Sequence, residues 1–376
     1  MSDSTANTDI LIPSDLLPRD GRFGSGPSKV RKEAVDALAA RATDFLGTSH
    51  RQNTVKSVVG EVRSGLRELF SLPEGYEVVL GNGGSTYFWD TAVFSLIANK
   101  SQHLSFGEFS SKFASSAKMA PFIQDPAVIK AEPGSRPEAV VNDEIDLYAF
   151  THNETSTGVS MEIIRPAGAK GLVAVDATSA AAGLSVEASQ FDCYYFAPQK
   201  AFASDGGIWF ALMSPAAIER VKEIKESGRY IPPALDLSIA LENSVLNQTY
   251  NTPALATIFL MNEQIKWING NGGLPFSTER SAKSSGIVYS WAIASDFATP
   301  FVQDPKMRSN VVATIDFDEN IDASSVARVL RKNGIVDVEP YRKLGRNQLR
   351  IATFPAVDPS DVEALVASIN YVVSKF

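Results

Sequence analysis

Six short apolar runs constrain what this chain can become, because each gives way to glycine or polar residues. They are "YEVVLG", "QHLSF", "EIDLYAFTH", "GLVAVDAT", "FDCYYFAP" and "GGIWFALMS". Runs this short and this rich in β-branched and aromatic residues read as strands, several of them buried on both faces. Helical stretches separate some of them. In "NTVKSVVGEVRSGLRELF", Val55, Val58, Val59, Val62, Leu66 and Leu69 recur with the period of a helix. Strands alternating with helices predict an α/β domain around a mostly parallel sheet, whose ligands gather beyond the strand C-termini.

The texture changes after about residue 265. "INGNGGLPF" reads as a loop within a helical connection, followed by strand, helix, strand and helix to the C-terminus. The expected division is an N-terminal arm over 1–22, a large domain over 23–265 and a small α+β domain over 266–376. Ser28 is the expected cap of the first helix, and Asp358 or Ser360 that of the last.

The 376 residues are 44% hydrophobic, enough for a sizeable core, and carry a formal charge of -8. An acidic surface argues against nucleic acid and against an anionic membrane, though not against a local basic pocket. Cys193 is the only cysteine, which points to a reducing compartment. The N-terminal stretch lacks the basic and apolar regions of a secretory signal, and no apolar run is long enough to span a bilayer. The expectation is a cytoplasmic protein.

Chemistry-bearing residues sit just past the strands. Lys200 follows "FDCYYFAPQ" and precedes "AFASDGG". A lysine there either lays its stem on apolar neighbours and reaches water, or acts as an amine nucleophile with a lowered pKa. Asp176 ends "GLVAVD"; it is either a turn or helix-cap aspartate before "ATSAAAG" or a partner for a protonated pyridine nitrogen. "GNGGST" lies between a strand and a helix, so its amides with the Ser85 and Thr86 hydroxyls could cradle a phosphate. It is neither a nucleotide P-loop nor a dinucleotide fingerprint. Phe109 and Thr155 suit stacking and hydroxyl contacts to a flat ring, or plain packing and capping. Arg51, Arg342 and Arg350 suit a substrate with more than one anionic group, whereas Arg346 reads as ordinary surface charge. Cys193 reads as a buried, inert thiol. His103 and His152 show no metal-ligand spacing, and no metal is expected.

In order and mutual spacing, "FGSGPSKV", "SHR", "GNGGST", "GEFSSKF", "THNETSTG", "VAVDATSA", "APQKAFASDGG", "NTPA" and "RNQLRIATF" resemble the phosphoserine aminotransferases, from about residue 22 to the C-terminus. These are class V members of the fold-type I transferases that use pyridoxal 5'-phosphate. The resemblance implies a mixed, mostly parallel seven-stranded sheet flanked by helices, a small C-terminal α+β domain, and a homodimer with shared active sites. It implies that Lys200 joins the cofactor covalently, Asp176 meets the ring nitrogen, Thr155 the ring hydroxyl, and Phe109 the ring face. Ser85, Thr86 and Gln199 would hold the cofactor phosphate, with Asn251 and Thr252 reaching it across the interface. Arg350 would grip the amino acid α-carboxylate. His50 and Arg51 of the other subunit, with Arg342, would face the distal phosphate or the glutamate side chain.

This chain departs from many relatives at Ser85–Thr86 (glycine–arginine), Phe109 (tryptophan) and Tyr341 (histidine). The implied activity is ping-pong transamination between glutamate and 3-phosphohydroxypyruvate in serine synthesis. The same activity often serves a phosphorylated acceptor leading to pyridoxine. The competing expectations are another class V transaminase of the alanine–glyoxylate or serine–glyoxylate type, a cysteine desulfurase, for which Cys193 is badly placed, and a non-enzymatic interaction protein.

Overall fold

The computed structural model describes residues 9–376; the first eight residues of the expected arm lie outside it. Seven strands form the main sheet: β1 (Glu77–Asn82), β2 (Ser101–Ser105), β3 (Ala127–Lys130), β4 (Leu147–Thr151), β7 (Leu172–Asp176), β8 (Cys193–Phe196) and β9 (Ile208–Met213). Their order is β1-β9-β8-β7-β4-β2-β3. Only β9 runs against its neighbours; β8, β7, β4, β2 and β3 are mutually parallel. The mixed, mostly parallel seven-stranded sheet is therefore present. The expected strands fall on β1, β2, β4, β7, β8 and β9. The seventh, β3, alternates half-buried and exposed residues at the sheet edge and lacks the continuous apolar run of the others.

Strand period 2 divides the core. Val173 and Val175 of β7, with Tyr194 and Phe196 of β8, face one cluster. Leu172, Ala174, Cys193 and Tyr195 face the other. On the first face packs the Asn53–Leu69 helix, whose buried residues are the six predicted from its period. Full burial of each such side chain contributes about 1.5–3 kcal/mol. This helix lies against the Leu255–Gly270 helix. A Cβ on Gly65 would fall 2.6 Å from Ile265 Cγ2, so glycine permits that close approach. On the second face lie the Ser85–Ser95, Glu108–Met119 and Pro215–Glu226 helices.

The two-residue strands β5 (Asn153–Glu154) and β6 (Val159–Ser160) pair as a small hairpin just beyond β4. A separate antiparallel sheet holds β10 (Ala298–Pro300), β11 (Val312–Phe317) and β12 (Gln348–Ala352). Its cluster takes in Val326 and Leu330 of the Ala323–Lys332 helix and Leu365 and Ile369 of the Pro359–Val373 helix. Ile12 and Phe23 join the same cluster, so the N-terminal segment packs with the C-terminal unit. Asp358 caps the last helix, accepting from Ser360 N at 3.0 Å.

Two local expectations are corrected. "INGNGGLPF" is not a loop but a joint at Asn271–Gly272 between the Leu255–Gly270 and Gly273–Ala294 helices, with Gly272 at φ +118°. Ser28 does not cap the first helix, which begins at Lys32. Its hydroxyl instead donates to Lys200 O at 2.5 Å.

Candidate active site

The C-terminal ends of β7 and β8, with the first turns of two helices, surround a cavity of about 290 Å³. Its wall includes Ser85, Thr86, Phe109, Thr155, Asp176, Gln199 and Lys200. Seven of the expected site residues thus converge within one chain. The parallel strands dictate this: β7 delivers Asp176 at its last residue, and the turn after β8 delivers Gln199 and Lys200.

Lys200 Nζ donates to Ser25 O at 2.5 Å. A side chain on Gly26 would collide with that amine, so the Ser25–Gly26 backbone closes over it only because no Cβ intervenes. Desolvation and the nearby Arg350 charge lower the lysine pKa to about 8, against opposing pulls from Asp176 and Glu154. This lysine does not reach out to bulk water; it is an amine partly freed of its proton near neutrality.

Asp176 is buried, and desolvation pushes its pKa up. Three donors oppose that push. Trp89 Nε1 donates to Oδ2 at 3.0 Å, while Thr178 N and Thr178 Oγ1 lie 3.0 and 2.6 Å from Oδ1. "ATSAAAG" forms turns rather than a helix, so Asp176 is no helix cap. Its carboxylate faces the cavity.

The Ser85–Ser95 helix opens with Ser85 and Thr86 on the cavity wall and Gly84 as its N-cap residue. No side chain caps it, so its first amides remain available to an anion. Thr155 Oγ1 donates to Ser179 Oγ at 2.8 Å, which leaves its lone pairs open to accept. Asn153 Oδ1 and Gln199 Oε1 are buried without a protein partner, as expected of groups that await a ligand.

Arg350, on β12, reaches across from the small sheet. Its Nη1 donates to Thr155 O at 3.3 Å, and its guanidinium lies 5.5 Å from the Tyr341 ring centroid. Burial lowers its pKa, and its Nε is buried without a partner. The Tyr341 and Phe109 ring centroids are 6.2 Å apart.

Residues 126–337 match the family model "Aminotransferase class-V". The chain is 62% identical over 366 residues to the phosphoserine aminotransferase of Rhodococcus jostii (strain RHA1), covering 97% of this chain and 98% of that relative. This chain belongs to the phosphoserine aminotransferase family. Among solved structures it is similar to a phosphoserine aminotransferase from Cytophaga hutchinsonii, with TM-score 0.86 at 23% identity over 94% of this chain and 99% of that one. It is also similar to the PLP-bound phosphoserine aminotransferase from Trichomonas vaginalis, with TM-score 0.78 at 19% identity over 94% and 100%. These two likenesses establish the fold-type I aminotransferase architecture.

Other expected residues of this family member stand away from the cavity. Arg51 Nη1 donates to Gln248 Oε1 at 3.1 Å, and His50 is buried with Nε2 unpartnered. Asn251 lines a different cavity of about 610 Å³ beside Gly83 and Tyr87. Thr252 O accepts from Asn82 Nδ2 at 2.9 Å, which ties the "NTP" segment to the strand that leads into the Ser85 turn. Arg342 is exposed, with no hydrogen bond or ion pair among the described residues. Arg346 pairs with Asp316, in keeping with surface charge. Burial pushes the Cys193 thiol up, which leaves it inert.

Sequence reasoning missed three residues. Trp89 reads as one more apolar position of "YFWDTAVFSLI". Thr178 reads as turn filler. Glu154 is fully buried, yet its carboxylate accepts from Phe109 N at 3.1 Å, Ser110 N at 2.9 Å and Ser156 Oγ at 2.7 Å. It thereby holds the first turn of the Glu108–Met119 helix and sets where Phe109 sits. The available signal was its place within Asn153–Thr155, a polar stretch just past an apolar run, where Glu154 itself drew no role.

Proposed function

We propose that this chain is a pyridoxal-phosphate-dependent transaminase that carries the amino group of L-glutamate to 3-phosphohydroxypyruvate, yielding 2-oxoglutarate and O-phospho-L-serine. The observation that carries this is 62% identity, across nearly the whole length of both chains, to a phosphoserine aminotransferase. The cavity supports it chemically. An amine of lowered pKa, a buried carboxylate and an open helix N-terminus suit an aldehyde, a ring nitrogen and a phosphate respectively.

When bound, the cofactor supplies an electron sink for the carbanion left as the substrate Cα loses its proton. Lys200 would join the cofactor covalently, and once released it would carry the proton between Cα and the cofactor C4′. Asp176 would accept from the ring nitrogen and keep that nitrogen protonated. Ser85, Thr86 and Gln199 would hold the phosphate. Phe109 would cover the ring, and Thr155 would meet its hydroxyl. Arg350, already desolvated and with Nε unspent, would take the α-carboxylate as a planar fork. Arg342 would face the substrate phosphate. A second copy of the chain would bring His50, Arg51, Asn251 and Thr252 to this cavity, in a homodimer with shared sites. Among the described residues no helix is long and apolar enough to cross a membrane.

Steady-state kcat/KM for 3-phosphohydroxypyruvate, hydroxypyruvate, pyruvate and glyoxylate, with glutamate as donor, tests the assignment. A preference of about a hundredfold or more for the phosphorylated acceptor is expected, since cationic groups left unpaired penalise the others. Equal values for glyoxylate would move the chain to a glyoxylate-type transaminase.

A further inference from the structure

Asp176 is held by the same helix whose first turn lines the cavity. Trp89 lies one turn beyond Ser85 on the Ser85–Ser95 helix, and its Nε1–H reaches Asp176 Oδ2 at 3.0 Å. On the other oxygen, Thr178 Oγ1 stands 2.6 Å from Asp176 Oδ1 and 2.6 Å from Ser85 Oγ. A threonine hydroxyl has one hydrogen, and an ionised carboxylate only accepts. The hydrogen of Thr178 therefore goes to Asp176, and Ser85 donates to Thr178. The result is a closed circuit: Ser85 to Thr178 to Asp176 to Trp89, then back along one turn of helix to Ser85.

We propose that Trp89 is a positioning residue: its indole N–H fixes the Asp176 carboxylate toward the cavity as an acceptor and couples it, through one helical turn and Thr178, to the turn that cradles the anion. This deepens the functional assignment above and rests on it.

Indole nitrogen donates and never accepts, so Trp89 favours an Asp176 whose Oδ2 is an acceptor and disfavours one that carries its proton on that oxygen. Its ring is 3% exposed and packs in a core cluster while also contributing to the cavity wall, so core packing holds the N–H direction before any ligand enters. Asp176 also feels Lys200, which favours its ionised form. The buried Tyr194 and Tyr195 hydroxyls are the other titratable groups beside it, and both stay neutral. The circuit also makes the anion-binding turn and the carboxylate interdependent. A phosphate that draws the Ser85 hydroxyl toward itself removes the donor to Thr178, and Thr178 then serves the carboxylate alone.

The test is Trp89→Phe, which keeps an aromatic ring in the core and deletes the donor, with Thr178→Val as a second variant acting on the other oxygen. In apoprotein, infrared titration of the Asp176 carboxyl, identified by subtracting the Asp176→Asn spectrum, is expected to show protonation at higher pH in Trp89→Phe than in wild type. Equilibrium dialysis of pyridoxal phosphate should show about tenfold weaker binding in either variant, since each loses a hydrogen bond to a charged group. Pyridoxal without phosphate should be less affected by Thr178→Val than pyridoxal phosphate is. An Asp176 titration and a cofactor affinity unchanged in Trp89→Phe would overturn the proposal. If Trp89→Phe does not fold, the same two measurements on Thr178→Val decide, and wild-type values there would overturn it. Failure of wild-type protein to bind pyridoxal phosphate would instead overturn the functional assignment.

Discussion

Two groups of expected site residues differ in how one chain treats them. Asp176 ends β7, and Thr155, Gln199 and Lys200 sit just past β5 and β8; all four are largely sequestered from water and share one cavity. His50, Arg51, Asn251 and Thr252 lie on connecting segments outside that cavity, with Asn251 and Thr252 exposed. Backbone geometry explains the first group. Parallel strands in register deliver their last residues to one edge whatever else binds. The second group has no such constraint within the chain. Its local bonds, Asn82 to Thr252 and Arg51 to Gln248, hold the segments in shape without aiming them at Lys200. On the function proposed above, the covalent chemistry would rest on the sheet, while recognition of the substrate's far end would fall to segments that a second copy of the chain would bring in.

The harshest way to break this comparison is Lys200→Ala. Loss of the proton carrier should lower kcat by about a thousandfold or more and abolish the shift in the cofactor's absorption that imine formation with the chain produces. Single-turnover kinetics and a spectrum read both. Activity within tenfold of wild type would remove Lys200 from the chemistry and dissolve the first group.

The strand-end group was largely legible in the sequence, because strand C-termini can be read from where apolar runs stop. The six positions of the Asn53–Leu69 helix were legible for a similar reason: their signal is local. What escaped depends on contacts between distant segments. Trp89 has the composition of a core residue and becomes a donor only because β7 ends beside it. Ser28 has the look of a cap and instead serves Lys200 O, 172 positions away. Ile12 and Phe23 carry no local sign that they complete the C-terminal unit's core.

A second effect concerns pH. The Lys200 pKa is lowered to about 8, chiefly by desolvation. Below that value the amine is mostly protonated and cannot attack an aldehyde. The rate of pyridoxal phosphate capture by apoprotein should therefore rise about tenfold per pH unit from pH about 6 to 8, then level off. A lysine in water would keep gaining beyond pH 10. Stopped-flow absorbance follows the capture, and a curve still climbing above pH 9 would show that the cavity does not desolvate this amine.

Assembly separates the two groups more gently. Arg51→Ala should lower kcat/KM for 3-phosphohydroxypyruvate by about tenfold, with less effect on unphosphorylated acceptors. Hybrids sharpen this. If Arg51 serves the neighbouring subunit, a heterodimer of Arg51→Ala and Lys200→Ala subunits contains one site with both residues native. Such a mixture should recover activity that neither homodimer has. If Arg51 serves its own subunit, every site in the hybrid is defective and nothing is regained.

The smallest effect falls where the two groups meet. Lys343 pairs with Glu108 at 2.5 Å, linking the Tyr341–Arg342 segment to the helix turn that carries Phe109. The Lys343 side chain is 68% exposed, so water and salt compete with the pair and its contribution is slight. Lys343→Met should raise KM for the phosphorylated acceptor by about threefold or less at low salt, without changing kcat. Salt at about 0.5 M should erase the difference, because charges at that exposure are screened within a few ångströms. A loss in kcat that persists at high salt would mean that Lys343 does more than hold this segment in place, and the division between a rigid chemical floor and an adjustable rim would have to be redrawn at that residue.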